Sequence, residues 1–234
     1  MLNGNIKAVF FDAADTLFFV RDGVESVYAD VASKYRSRPD NNAVKQAFIR
    51  AFSTAPPLAF TDVSEEERQI LEKSWWKEVV YKVFKVVGMF EQFDEYFDDL
   101  FETFRIKAWR LFPETKAVLS ALKERGYILV VISNFDSRIY EVSDNLGITD
   151  FFDSFIISSE SGFAKPSGEI FDLALKKFNL TPSECVHIGD SKPNDYDGAA
   201  ALGINALLLD RDSLHSDRDG INTIHSLSEL LDLL

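Results

Sequence analysis

Cysteine is nearly missing from this chain of 234 residues: Cys185 stands alone, so no internal disulfide can close, and a reducing compartment suits it. Positive charge is also scarce. Lys and Arg total 25 against 38 Asp and Glu, a net charge of −13. Such a surface repels phosphate backbones and anionic headgroups, which excludes nucleic acid or membrane binding as the main role. It also means that an anionic substrate needs local positive charge, from a metal or a placed lysine. Long apolar runs are missing as well, since none approaches the ~18 uninterrupted residues of a membrane span. The N-terminal stretch from Ala8 to Val20 is broken by Asp12 and Asp15, and it has neither a basic leader nor a small-residue cleavage site. No secretory signal is read, and a cytoplasmic protein is expected. Internal repeats and low-complexity segments are absent too.

What remains is a globular balance of 46% hydrophobic and 27% charged residues, long enough for one large domain or an α/β domain with an insert. Phe occurs 21 times, which predicts an aromatic-rich core rather than a cofactor box. Residues 6–11, Ile-Lys-Ala-Val-Phe-Phe, read as a buried strand. From about 24 to 108 the periodicity is helical, with candidates at Ser26–Arg36 and Ala43–Phe52 and a break at Thr54-Ala55-Pro56-Pro57. Ser64 and Glu67 have capping-box spacing, so a long helix should run through Trp75, Trp76, Val79, Val80 and Val83. Phe93, Phe97, Leu100, Phe101 and Phe104 share one helical face, with Asp94, Glu95, Asp98 and Asp99 on the solvated side.

After Phe112-Pro113 strands and helices alternate. Strands are predicted at Tyr127–Ile132, Phe155–Ile157, Cys185–Ile188 and Ala206–Leu209. Helices are predicted at Glu114–Arg125, Arg138–Leu146, Glu169–Phe178, Asn194–Leu202 and Ser226–Leu234. This alternation implies an α/β fold, a Rossmann-like parallel sheet with helices on both faces. Residues 1–17 and 110–234 form that core, and 18–109 form an inserted all-helical cap.

Ligands of an open parallel sheet bind beyond the carboxyl ends of its strands, and polar residues collect there. Asp12-Ala13-Ala14-Asp15-Thr16 follows the first strand and Ser133-Asn134 the second; Lys165-Pro166 comes a short loop after the third, and Gly189-Asp190 follows the fourth, with Asp195 beyond. A carboxylate held directly after a buried strand can serve as a nucleophile, here Asp12. Asp12 and Asp190 make an oxygen-only site suited to Mg²⁺, which would offset repulsion between Asp12 and a phosphate. Lys165 would neutralise the nonbridging oxygens, and Ser133 and Thr16 would donate hydrogen bonds to them. Asn134 joins Thr16, Ser133 and Lys165 in the candidate phosphate-binding set. His187 reads as a core histidine, Cys185 as buried and inert, His215 and His225 as partnerless in a polar stretch, and Arg21 and Arg138 as candidate substrate contacts beside the first two loops.

These motifs resemble the haloacid dehalogenase-like hydrolase superfamily: Phe11-Asp12-Ala13-Ala14-Asp15-Thr16-Leu17, the strand ending at Ser133, Lys165-Pro166 with Ile170-Phe171, and His187-Ile188-Gly189-Asp190 through Asp195, Gly198-Ala199 and Gly203. The stretch Val131 to Arg138, with the Trp75-Trp76 pair, resembles one helical-cap branch of it. The resemblance implies an aspartyl-phosphate on Asp12. It also implies Mg²⁺ held by Asp12, Asp190 and the main-chain carbonyl of Ala14, with Asp195 direct, water-mediated or supporting. Family phosphatases carry an acid/base Asp two residues after the nucleophile, where this chain has Ala14. Three readings follow: a Mg²⁺-dependent phosphatase acting on a small phosphorylated metabolite, slow or narrow, with Asp15, a cap residue or solvent substituting for the missing acid; a metal-independent 2-haloacid dehalogenase; and a catalytically weak protein that binds a phosphorylated ligand or partner. Monomer and homodimer are both open.

Overall fold

The computed structural model describes residues 5–214 and 221–234. Its strands are β1 (Ala8–Phe11), β2 (Phe18–Val20), β3 (Trp109–Leu111), β4 (Ile128–Ser133), β5 (Ser154–Ile157), β6 (Cys185–Gly189), β7 (Asn205–Leu209) and β8 (Thr223–Ile224). Helices α1 (Val24–Ser33), α2 (Asn41–Ser53), α3 (Glu65–Val87) and α4 (Phe93–Ile106) lie between β2 and β3. The others are α5 (Thr115–Glu124), α6 (Arg138–Leu146), α7 (Ser158–Ser161), α8 (Gly168–Phe178), α9 (Gly198–Ala201) and α10 (Leu230–Leu233).

Among the described residues the main sheet is parallel, in the order β5-β4-β1-β6-β7-β8. Strand β1 has no polar residue, and alternation sends its neighbours to opposite faces, so both faces must be covered. Val9 and Phe11 enter one apolar cluster with Leu119 of α5 and Ile139 of α6; Ala8 and Phe10 enter another with Ile170 and Phe171 of α8. From β1 the chain steps one way to β4 and β5, then returns to β6 on the other side. That reversal opens a crevice at the carboxyl ends of β1, β4 and β6, where loops can converge.

Helices α1–α4 pack around their own aromatic core of Tyr28, Phe84, Phe93, Tyr96 and Phe97, with Phe84 and Tyr96 edge-to-face at 4.8 Å. The richness in Phe is therefore packing. Asp40 accepts from Ala43 N at 2.9 Å to start α2, and the predicted Ser64–Glu67 capping box starts α3. Acidic residues of α4 are solvated as expected: Asp94, Asp98 and Asp99 pair with Lys77, Lys73 and Lys34 at the surface.

Some details depart from the sequence reading. Strands β2 and β3 pair antiparallel, Phe18 opposite Leu111 and Val20 opposite Trp109, tying together the two ends of the stretch read as wholly helical. Three-residue strands are too short to display alternation. The region read as one helix from Asn194 to Leu202 is a π-helical turn, Lys192–Asp197, running into α9. The closing helix is a 3₁₀ turn, Leu227–Glu229, followed by α10. No helix among the described residues is long and apolar enough to cross a membrane. His215 lies outside the described residues; the His225 ring bonds the Asp210 carbonyl at 2.7 Å, so it does have a partner.

Candidate active site

Asp12 leaves β1 with its N–H bonded to the Ile188 carbonyl at 2.8 Å, which seats its side chain between β4 and β6. Ser133, the last residue of β4, donates to Asp12 Oδ1 at 3.0 Å, and Lys165 Nζ reaches the same oxygen at 2.5 Å. The lysine ammonium also donates to Asp195 Oδ1 at 2.6 Å. All of these side chains are buried.

The lysine is held in place by Asn134. The Asn134 amide accepts from Lys165 N at 2.7 Å and donates to the Lys165 carbonyl at 2.9 Å. Asn134, read from the sequence as a phosphate contact, has both ends of its amide committed to that backbone and acts as a positioning residue. Asp195 is fixed just as firmly, because Ser191 N donates to its Oδ2 and the His187 ring lies 3.0 Å from its Oδ1. A Cβ on Gly189 would stand 2.1 Å from Asp195 Cγ, so only glycine lets this carboxylate reach the lysine. His187 is a buried histidine as expected, but one that orients Asp195; its neighbours in sequence carry no signal of that pairing.

Charge follows from burial and from this lysine. Burial pushes the Asp12 carboxyl up, with Lys165 opposing and Asp195 adding to the rise. Burial would also raise Asp195, but the Lys165 charge and the His187 bond outweigh it and hold the group below the usual carboxylate range. The same two carboxylates overcome burial at Lys165 and keep it charged, above its ordinary value. His187 is pushed down by burial, which keeps the ring neutral.

Asp190 faces the open cleft just past β6, with Thr16 Oγ1 at the outer hydrogen-bond limit of 3.5 Å from it. Crowding by protein atoms and the charges of Asp12, Asp195 and Asp15 push Asp190 up to about 8, a rise that the solvent reaching it tempers. Asp12, Asp190 and Asp195 each bring a carboxylate oxygen within 4.8 Å of the others. An all-oxygen set of crowded carboxylates fits a hard divalent cation, which would remove the repulsion that raises Asp190. Since both Asp195 oxygens already accept bonds, Asp12 and Asp190 are the freer donors.

Ala14 and Asp15 line a cavity of about 240 Å³ under the helical insert, together with Asn134 and Arg138. Asp15 takes a left-handed backbone (φ 59°), and burial and the Asp12 charge raise its carboxyl. Arg138 is not a free substrate contact. Its guanidinium is bound twice by Asp136, at 2.9 and 2.6 Å, and lies 4.0 Å over the Phe101 ring. Arg21 is exposed and pairs with Asp22 at the surface, away from the cavity. Cys185 is buried, and its thiol is pushed up to about 12 by burial, so it is inert.

A parallel sheet with carboxylates and a buried lysine gathered at its switch point defines an α/β protein with an acid-rich site beyond the strand ends. A family model described as haloacid dehalogenase-like hydrolase matches residues 6–203, and the chain belongs to this family of hydrolases. It is 30% identical over 98% of its length to a mouse (Mus musculus) haloacid dehalogenase-like hydrolase domain-containing protein 3, covering 92% of that protein. It is 35% identical over 53% of its length to a glyceraldehyde 3-phosphate phosphatase of Methanothermobacter thermautotrophicus, covering 59% of that enzyme. A crystal structure described as a dehalogenase shares the fold, with a TM-score of 0.76 at 19% identity over 100% of this chain and 99% of that one.

Proposed function

We propose that the protein is a Mg²⁺-dependent phosphatase that cleaves a small phosphorylated metabolite through an aspartyl-phosphate on Asp12, in a cytoplasmic setting. The observation that carries this reading is the Asp12 carboxylate, buried at the end of β1 and held by Ser133 and Lys165, with Asp190 facing the cleft beside it. Asp12 attacks phosphorus, and the bond to the leaving oxygen breaks. Water then attacks the acyl phosphate and releases inorganic phosphate and the free carboxylate. Lys165 balances charge on the nonbridging oxygens, while Ser133 and Thr16 donate hydrogen bonds to them. Asp12, Asp190 and the Ala14 carbonyl would hold Mg²⁺, with Asp195 supporting through Lys165. Bound there, the ion would offset the repulsion between two anions. Residues 18–109 act as the cap that closes over the substrate. The relative named a phosphatase supports this reading.

Ala14 favours a second reading, dehalogenation of a 2-haloacid, because a departing halide needs no proton. Against it stand Asp190, which that reaction does not need, and the engagement of Arg138, the one cation lining the cavity among the described residues, by Asp136. A haloacid carboxylate would find no free partner there. The third reading, ligand binding without turnover, rests on Ala14 alone.

The test is hydrolysis of p-nitrophenyl phosphate and acetyl phosphate, with Mg²⁺ or EDTA, by the native protein and Asp12→Asn. Mg²⁺-dependent turnover that the variant lacks is expected. The variant keeps the Lys165–Asp195 pair, so no buried charge is left alone and folding should survive. Metal-free halide release from a 2-haloacid by the native protein would reverse the order of the readings.

A further inference from the structure

The cavity beneath the helical insert is built for an apolar group. Its lining includes Tyr28, Phe52, Trp76, Phe97, Phe104 and Trp109, contributed by the helices and by β3, together with Ala14, Asp15 and Asn134 from the loops after β1 and β4. Asn134 follows Ser133, and Ala14 comes two residues after Asp12, so the cavity lies beside the Asp12–Ser133 site. At about 240 Å³ it falls below the ~300–1,000 Å³ typical of sites for drug-sized ligands, which suits one or two aromatic rings.

Its charges exclude a second anionic group. Among the described lining residues the ionisable side chains are Asp15, an acid with no positive charge to offer, and Arg138, whose guanidinium is neutralised by Asp136 and covered by the Phe101 and Trp76 rings. A nucleotide tail or a bisphosphate would meet no free cation. A sugar would leave its hydroxyls against aromatic walls without partners, and unpaired buried hydroxyls are costly.

A separate observation points the same way. Alkoxides are strong bases and leave slowly unless an acid protonates them, and Ala14, the cavity-lining residue two places after Asp12, carries a methyl group and no acid. Phenolates and carboxylates are weak bases and leave without that help. We infer that the substrate is a phosphate ester or anhydride with an apolar aryl or acyl leaving group, whose body fills this cavity. The inference rests on the phosphatase reading above. The Asp12 oxygen bonds to phosphorus, the bond from phosphorus to the leaving oxygen breaks, and its electron pair goes with the leaving oxygen. The anion takes its proton from solvent after departure.

Calorimetry on the Mg²⁺-loaded native protein compares 1-naphthylmethylphosphonate with methylphosphonate, whose P–C bonds are not hydrolysed. The naphthyl compound is expected to bind at least tenfold more tightly; equal affinity would overturn the inference. In parallel, kcat/KM is measured for 1-naphthyl phosphate, glycerol 3-phosphate, glucose 6-phosphate and acetyl phosphate. A preference of about 10² for the naphthyl ester over the two alkyl esters is expected from the missing acid. Turnover of acetyl phosphate with equal or better turnover of the alkyl esters than of the naphthyl ester sinks this inference and leaves the phosphatase reading standing. No turnover of any compound sinks the phosphatase reading, and the phosphonate pair still decides what the cavity accepts.

Discussion

Asn134 bonds to Lys165 rather than to Asp12, yet it decides where the charge beside Asp12 lies. Its amide grips Lys165 from both sides, and without it the backbone carrying the ammonium loses two hydrogen bonds. Asn134→Ala is expected to lower kcat on p-nitrophenyl phosphate by roughly 10–10², the scale of loss when a reacting group moves by about an ångström. Steady-state kinetics at saturating Mg²⁺ would check this, and a KM effect with unchanged kcat would speak for direct phosphate contact instead. Asp190 carries a different consequence. With its carboxyl raised toward 8, it retains a share of its proton near neutral pH when no cation is bound, and a cation must displace that proton. Mg²⁺ affinity should therefore rise as pH increases towards 8 and level off above it, with a proton released on binding at lower pH. Titration calorimetry at pH 6.5 and 8.5, in buffers of different ionisation enthalpy, reads both effects; a pH-independent affinity would mean that Asp190 is ionised throughout.

At the scale of elements, helix α3 ties the insert to the site. Glu72, buried on α3, accepts from Ser137 N at 3.1 Å and from Ser137 Oγ at 2.5 Å, and Trp76 one turn later donates to Asp136 at 2.5 Å. Both partners lie in the loop between Ser133 and α6, so the insert grips the loop that follows Ser133 and carries Asn134. Glu72→Ala leaves a half-buried backbone N–H and hydroxyl without their acceptor, a loss of about 1 kcal/mol. Thermal unfolding should fall by roughly 2–4 °C for each kcal/mol in a chain of this size. An unchanged melting temperature would show that water takes over. The tether could not be foreseen, because Glu72 and Ser137 lie 65 positions apart and each reads alone as a helix residue and a cap.

For the molecule as a whole, the charge of −13 opposes the arrival of an anionic substrate at a site whose lysine is already neutralised by two carboxylates. Added salt screens that repulsion, since the Debye length shrinks from ~30 Å at 0.01 M to ~8 Å at 0.15 M. Expected is a rise of a few-fold in kcat/KM for p-nitrophenyl phosphate over that range with Mg²⁺ held saturating. A fall would point to a positive path to the site that the overall charge conceals.

What the sequence by itself determined is whatever short-range chemistry fixes: the buried strand Ala8–Phe11, the Ser64–Glu67 cap, and the polar residues directly after each core strand. Each depends on neighbours within a few positions, through side-chain alternation, capping hydrogen bonds or the abrupt end of an apolar run. The tertiary structure alone decided which of those residues meet. It turned Asn134 onto the Lys165 backbone, set His187 behind Asp195, neutralised Arg138 with Asp136 and closed β2 on β3. It also made one apolar cavity from side chains spread between Ala14 and Arg138. Packing sums contacts across long stretches of chain, and no local pattern carries a contact whose two halves each look ordinary alone.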